Sequence, residues 1–132
     1  MDPVFSTYTK VVGVTRKNED DEPIQELLED MDTSWELSFE RDYANEYDDN
    51  AIKVYAEGSH IGYLSRQLAG ELSPKIDDCY SLFGEITEIT GGGDKNYGCN
   101  IRIWLQQTVE PETLARIRAT IAEGKLSSPD AA

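Results

Sequence analysis

Few residues in this chain are of types that do covalent chemistry. One histidine, His60, and two cysteines, Cys79 and Cys99, are all its imidazole and thiol. A structural zinc takes four Cys or His ligands, usually with a close Cys pair, and three scattered ones do not supply that set. Nucleophilic catalysis needs a hydroxyl or thiol beside a base. No Ser-His-Asp pattern is present, and the cysteines fall in strand-like runs without a basic setting, where buried free thiols are expected. Gly91-Gly92-Gly93 invites comparison with a phosphate loop, but neither Gly-Lys-Ser/Thr nor a helix follows, so a hairpin tip is the expectation. These absences point to a binding module without metal or cofactor, and away from an enzyme.

Charge constrains what could be bound. The chain has 26 acidic residues against 12 basic ones, a net charge of −14. Nucleic-acid affinity comes largely from Lys and Arg displacing counterions from phosphates, so long-range attraction to a polyanion should be weak. A local basic site remains compatible with that total. No run approaches the ~20 apolar residues of a membrane span. Met1-Asp2-Pro3-Val4-Phe5 lacks the basic and apolar regions of a signal peptide, so a cytoplasmic location is expected.

The elements that must position any site follow from periodicity. Phe5 to Arg16 is rich in Val, Thr and aromatic residues and predicts a first strand, bent or bulged at Gly13. Glu19 to Asp32 carries eight acidic residues and no basic one. Within it Pro23 suits a helix start, and Ile24, Leu27, Leu28 and Met31 follow helical spacing. That run is either a solvated helix face or a patch for a protein partner. Thr33 to Arg41 alternates Trp35, Leu37 and Phe39 with polar residues, as a strand does. Asp42 to Asn50 has loop composition. Ile52 and Val54 then alternate with Lys53 and Tyr55, Glu57-Gly58-Ser59 is a turn, and His60 to Leu64 returns as a second strand. Ser65 stands where a helix N-cap belongs, ahead of the stripe Leu68, Ala69, Leu72, with closure at Pro74 to Asp78. Cys79 to Thr90 predicts two strand stretches broken at Gly84, and Cys99 to Leu105 a last strand. Glu110 to Glu123 predicts a closing helix with Leu114, Ile117 and Ile121 as its stripe, stopped by Gly124.

The order of these residues is more specific than their periods. Val11-Val12-Gly13, Arg41-Asp42, Tyr47-Asp48, Asn50-Ala51-Ile52-Lys53-Val54, Ile61-Gly62-Tyr63-Leu64 and Leu68-Ala69-Gly70-Glu71-Leu72 together resemble the HIRAN domain. The resemblance is close from Val11 to Leu72 and thinner up to Leu105. It implies a mainly β fold with helices: a small barrel of about six strands, related to OB and SH3-like barrels, with two helices packed on it. The expected division is a barrel domain over 1–108, an extra C-terminal helix over 109–126 packed on or beside it, and a flexible tail over 127–132. The best-understood members of the family are fused to SNF2-type remodelling helicases and grip the 3′ end of single-stranded DNA; nucleotide hydrolysis there belongs to the helicase. Zinc is sometimes associated with proteins carrying the domain, and these residues give it no support.

The resemblance also implies a site. Thr15 and Arg16 stand where relatives carry a basic and an aromatic contact, with the arginine displaced by one and the aromatic missing. Tyr47-Asp48 matches the pair that holds a terminal nucleotide. A tyrosine ring can stack on a base, and a carboxylate can accept a hydrogen bond from a free 3′-hydroxyl. Both could equally serve the loop, Asp48 capping a turn and Tyr47 packing on the barrel, and the acids Glu46 and Asp49 beside them would repel phosphate. Asn50 looks structural. Tyr63 and Arg66 stand where an aromatic or histidine and a basic residue face the bound strand, Arg66 with phosphate-binding chemistry at a helix N-terminus or else paired with Glu71. Lys53 is expected to add charge from the outer face of its strand, and Tyr97 is a looser match to an aromatic contact. Two functions are therefore expected: a module for single-stranded DNA 3′ ends in repair or replication-fork processing, or an acidic adaptor using the acidic or C-terminal helix to bind a basic protein partner.

Overall fold

The computed structural model describes residues 4–107, with Arg116 and Ala119 beyond them. The expected C-terminal helix and tail otherwise lie outside the described residues. Eight elements follow in order: β1 (Phe5–Lys10), α1 (Ile24–Asp30), β2 (Leu37–Arg41), β3 (Ile52–Ala56), β4 (Ser59–Tyr63), α2 (Arg66–Asp77), β5 (Tyr80–Gly92) and β6 (Lys95–Gln107). Among these described residues no helix is long and apolar enough to cross a membrane.

The strands form two antiparallel three-stranded sheets, β1-β6-β5 and β2-β3-β4. Strict alternation drives the first: Cys99, Ile101, Ile103 and Leu105 of β6 face inward and are buried, while Asn100, Arg102 and Trp104 face out. In the second, Ile52, Val54 and Ala56 supply the buried face of β3. Glu57 and Gly58 close the β3–β4 hairpin with φ of 47° and 82°, both left-handed, as a two-residue hairpin turn requires. The helices fill the space between the sheets. Ile24, Leu28 and Met31 of the α1 segment and Leu68, Ala69 and Leu72 of α2 join one core with the inner faces of both sheets. Each fully buried Ile or Leu there stabilises the fold by roughly 1.5–3 kcal/mol.

The expected barrel does not close. The sheets meet at two seams, each an isolated bridge: Val12 with Tyr63, and Glu36 with Glu85. At the first, the chain changes sheets within two residues, Val11 N–H donating to Cys99 O at 3.0 Å and Val12 N–H to Tyr63 O at 2.8 Å. Gly13, at φ 80°, then turns the chain away before a ladder can grow. At the second seam β2 and β5 part company around an opening of about 440 Å³ lined by Leu37, Phe39, Ile52, Ile76 and Leu82 among others. Apolar side chains keep the strand edges apart there, so the ladder is limited to one pair.

Other boundaries also differ from expectation. The first strand ends at Lys10, because the seam and the Gly13 turn consume Val11 to Arg16. β5 is not broken at Gly84. That residue pairs with Ile103, and its lack of a side chain admits the Phe39 ring, whose Cζ would lie 2.7 Å from an added Cβ. Pro74 lies inside α2, three residues before the helix ends, where its carbonyl accepts from Asp78 N–H at 3.1 Å. Cys79 is no strand residue: it is exposed at φ 67°, turning the chain from α2 into β5. Cys99 is buried, as expected, and burial pushes its thiol pKa up to about 11.

Two outcomes are expected. Gly62, at φ 146°, would place an added Cβ 2.4 Å from Val12 O, so Gly62→Ala should cost on the order of 2–3 kcal/mol in urea unfolding. With a thiol-specific chromogenic reagent, Cys79 should react in the native protein and Cys99 only after unfolding; two fast thiols would contradict this packing.

Candidate functional site

On the first seam sits a groove of about 840 Å³, with walls from the loop after β1, the β2–β3 loop, β4 and the first residue of α2. Buried polar side chains hold each wall.

The first loop is organised by Asn18, which is only 7% exposed. Its Oδ1 accepts from the N–H groups of Asp20 and Glu22 at 2.9 Å each, and its Nδ2 donates to His60 O at 3.0 Å. His60 answers from β4: Glu19 N–H donates to Nδ1 at 3.2 Å, and Nε2 lies 3.0 Å from Gly62 O. One ring nitrogen must accept and the other donate, so these contacts select the Nε2–H tautomer. Arg16 and Lys17 are carried by this loop. The Arg16 guanidinium meets no acidic partner among the described residues, whereas Lys17 lies 3.6 Å from Asp21.

The second loop is held by Asn45 and Arg41. Asn45 Oδ1 accepts from the N–H groups of Tyr47 at 2.9 Å and Asp48 at 3.0 Å, and Asn45 Nδ2 donates to Asp42 Oδ2 at 3.1 Å. Arg41 donates to the carbonyls of Ala51 and Asp49 at 3.0 and 3.1 Å and pairs with Asp77 of α2. Asp48 Oδ1 caps the turn by accepting Asn50 N–H at 2.9 Å, leaving Oδ2 without a hydrogen bond to the described residues. Asn50 Oδ1 accepts from Ser73 Oγ at 2.9 Å, a structural role as expected. Tyr47, capped only through its backbone, exposes 83% of its surface.

The remaining residues come from β4 and α2. Tyr63 is half-buried, edge-on to His60 with ring centroids 5.1 Å apart, and its hydroxyl lies 3.4 Å from Asp42 Oδ2. Burial, then the charge of Asp42, raises its pKa. Ser65 caps α2 by accepting Leu68 N–H at 3.3 Å. Arg66, first in the helix, makes no ion pair with Glu71; it donates across the groove to Tyr47 O at 3.2 Å.

Five of the six expected site residues therefore line one groove: Arg16, Tyr47, Asp48, Tyr63 and Arg66. Thr15 is exposed but outside the lining. Lys53 is tied at 3.0 Å to Glu19, and Tyr97 lies away from the groove, its backbone held by Gln25. Lys17, Glu19, Asn45 and His60 were not anticipated as lining, and Glu46, expected beside Tyr47-Asp48, lines the groove with them. Asn18, Asn45 and Arg41 act through the loops, and of these only Asn45, within the loop run Asp42 to Asn50, carried a turn signal in the sequence. Three cations, Arg16, Lys17 and Arg66, face three acids, Glu19, Glu46 and Asp48, among the described residues of the groove. Against a chain total of −14 this is a local relief of negative charge.

The HIRAN domain family profile matches residues 4–108. The chain belongs to the HIRAN domain family. The crystal structure of the HIRAN domain of human HLTF is similar, with a TM-score of 0.54 and 20% identity over 92% of this chain and 90% of that one. A Lactobacillus plantarum protein solved by a structural-genomics consortium is likewise similar, with a TM-score of 0.54 and 21% identity over 76% of this chain and 99% of that one. At such identities the two structures speak for the fold of this HIRAN domain and not for its site. A comparison with curated proteins found no match.

The Lys53 hydrogen bond holds the Glu19 carboxyl below its ordinary pKa of 4.5. A carboxylate with a depressed folded pKa stabilises fully above its unfolded value, and that contribution is lost as pH falls through the folded pKa. Stability measured by urea midpoint should therefore fall more steeply below pH 4.5 in the wild type than in Glu19→Gln. Parallel curves would show that the pair contributes nothing.

Proposed function

We propose that this HIRAN domain is a non-enzymatic module that binds the 3′ end of single-stranded DNA, in repair or replication-fork processing. Family membership suggests nucleic-acid binding in the broad sense. The finer reading is supported by one observation: Arg16, Tyr47, Asp48, Tyr63 and Arg66, drawn from three separated stretches of sequence, line a single groove.

Four of the five have a role that their geometry permits. Tyr47 offers an exposed ring on a braced backbone, suited to stacking on a terminal base, worth roughly 1–3 kcal/mol. Arg16, from the loop after β1, and Arg66, from the start of α2, both line the groove and supply the phosphate contacts. Asp48 presents Oδ2 while Oδ1 stays on the turn, so its charge is fixed in place. That oxygen accepts from a terminal hydroxyl and repels a phosphate at the same position. The module thus reads an end rather than a sequence.

Fluorescence anisotropy with a short oligonucleotide bearing a 3′-hydroxyl or a 3′-phosphate tests this. The hydroxyl end should bind about tenfold tighter, the scale of one charge-assisted hydrogen bond. Asp48→Asn keeps an acceptor for Asn50 N–H but loses the charge, and should bring the two ends to near parity. Arg66→Ala should weaken both ends together. Equal affinity of the wild type for both ends would end the 3′-hydroxyl assignment.

A further inference from the structure

The groove has more carboxylate than a deoxyribose end needs. A deoxynucleotide terminus offers one hydroxyl, and Asp48 Oδ2 is sufficient to accept it. Glu46 lines the same groove two residues away. Its carboxylate meets no cation or hydrogen-bond donor among the described residues. Glu19 differs, being committed to Lys53 at 3.0 Å. Toward a phosphate, Glu46 can only repel. Toward a neutral donor it is an acceptor of the strong, ionised kind. On a nucleotide terminus the sugar hydroxyls are such donors, and a ribose end presents two of them side by side.

The geometry points to a ribonucleotide 3′ terminus as the preferred ligand end, its 3′-hydroxyl on Asp48 and its 2′-hydroxyl on Glu46. A carboxylate accepting from ribose hydroxyls is an established way to recognise that sugar, and the 2′-hydroxyl is the group by which proteins distinguish RNA from DNA. One braced loop carries both acids. Asn45 Oδ1 holds the N–H groups of both Tyr47 and Asp48, fixing the backbone that carries the two acids on either side of the stacking tyrosine. Arg66 holds the same backbone from the other side through Tyr47 O. This inference rests on the 3′-end reading and narrows it.

The test uses the whole chain and three oligonucleotides of identical DNA body, labelled at the 5′ end, ending in a deoxynucleotide, a ribonucleotide or a 3′-phosphate. The ribonucleotide end should bind about tenfold tighter than the deoxynucleotide end, as one added hydrogen bond to a charged group implies. Glu46→Gln, at an exposed position without a hydrogen bond or ion pair among the described residues, should bring that ratio close to one while leaving binding of the deoxynucleotide end equal or tighter. Equal wild-type affinity for ribo and deoxy ends overturns the inference and leaves the 3′-end reading intact. A ribo preference that survives Glu46→Gln overturns the role of Glu46. No discrimination against the 3′-phosphate, or no binding of any strand, removes the 3′-end reading and this inference together.

Discussion

Val12 and Tyr63 exchange two backbone hydrogen bonds, at 2.8 and 3.0 Å, and the groove exists because of them. The first sheet contributes β1 and the loop beyond it, the second contributes β4 and α2, and this is where their backbones join on the groove side. The approach is so close that Gly62 has no room for a side chain: its missing Cβ would fall 2.7 Å from Val11 Cγ1 and nearer still to Val12 O. The core supplies most of the folding free energy, but this contact decides where the cations stand.

Around that seam, polar side chains do what a larger core would do elsewhere. Asn18 and His60 lock one wall, Asn45 and Arg41 the other, and each uses carbonyls and N–H groups that a loop would otherwise leave to water. Loops fixed in this way keep charged groups from collapsing onto each other. Arg16 makes no ion pair among the described residues with the eight acids that follow within sixteen residues. A strongly negative chain can therefore keep a site of mixed charge, because short hydrogen bonds to the loop backbone set positions that long-range electrostatics would not favour.

Much of this was legible in the sequence. Strong alternation located β3 and β6, the turn at Glu57-Gly58-Ser59 located β4, Ser65 marked the start of α2, and the helical spacing of Ile24, Leu28 and Met31 identified the face of α1 that is buried. Gathering Tyr47, Asp48, Tyr63 and Arg66 required the family resemblance, since no local pattern places residues 47 and 66 across one groove. What was missed has physical causes. Gly84 resembles a strand breaker until the Phe39 ring beside it is known. Cys79 has strand-like neighbours, but the turn out of α2 demands a left-handed residue there. Barrel closure failed as an expectation because hydrogen bonding between sheet edges depends on side chains wedged between them, and local periodicity carries no record of those.

The pairing of β1 with β6 bears on how the molecule is made. Phe5 lies opposite Leu105 and Lys10 opposite Asn100, so the first strand finds its ladder only in the last. During synthesis β2, β3, β4 and α2 can assemble from a contiguous stretch of chain, while Phe5, Thr7 and Thr9 wait for a partner nearly a hundred residues behind them. Such pairings are slow because a long loop must close before any contact rewards it. Until β6 leaves the ribosome, the inward face of β1 is an unpaired strand in search of an edge, and that interval is when this chain is most exposed to self-association.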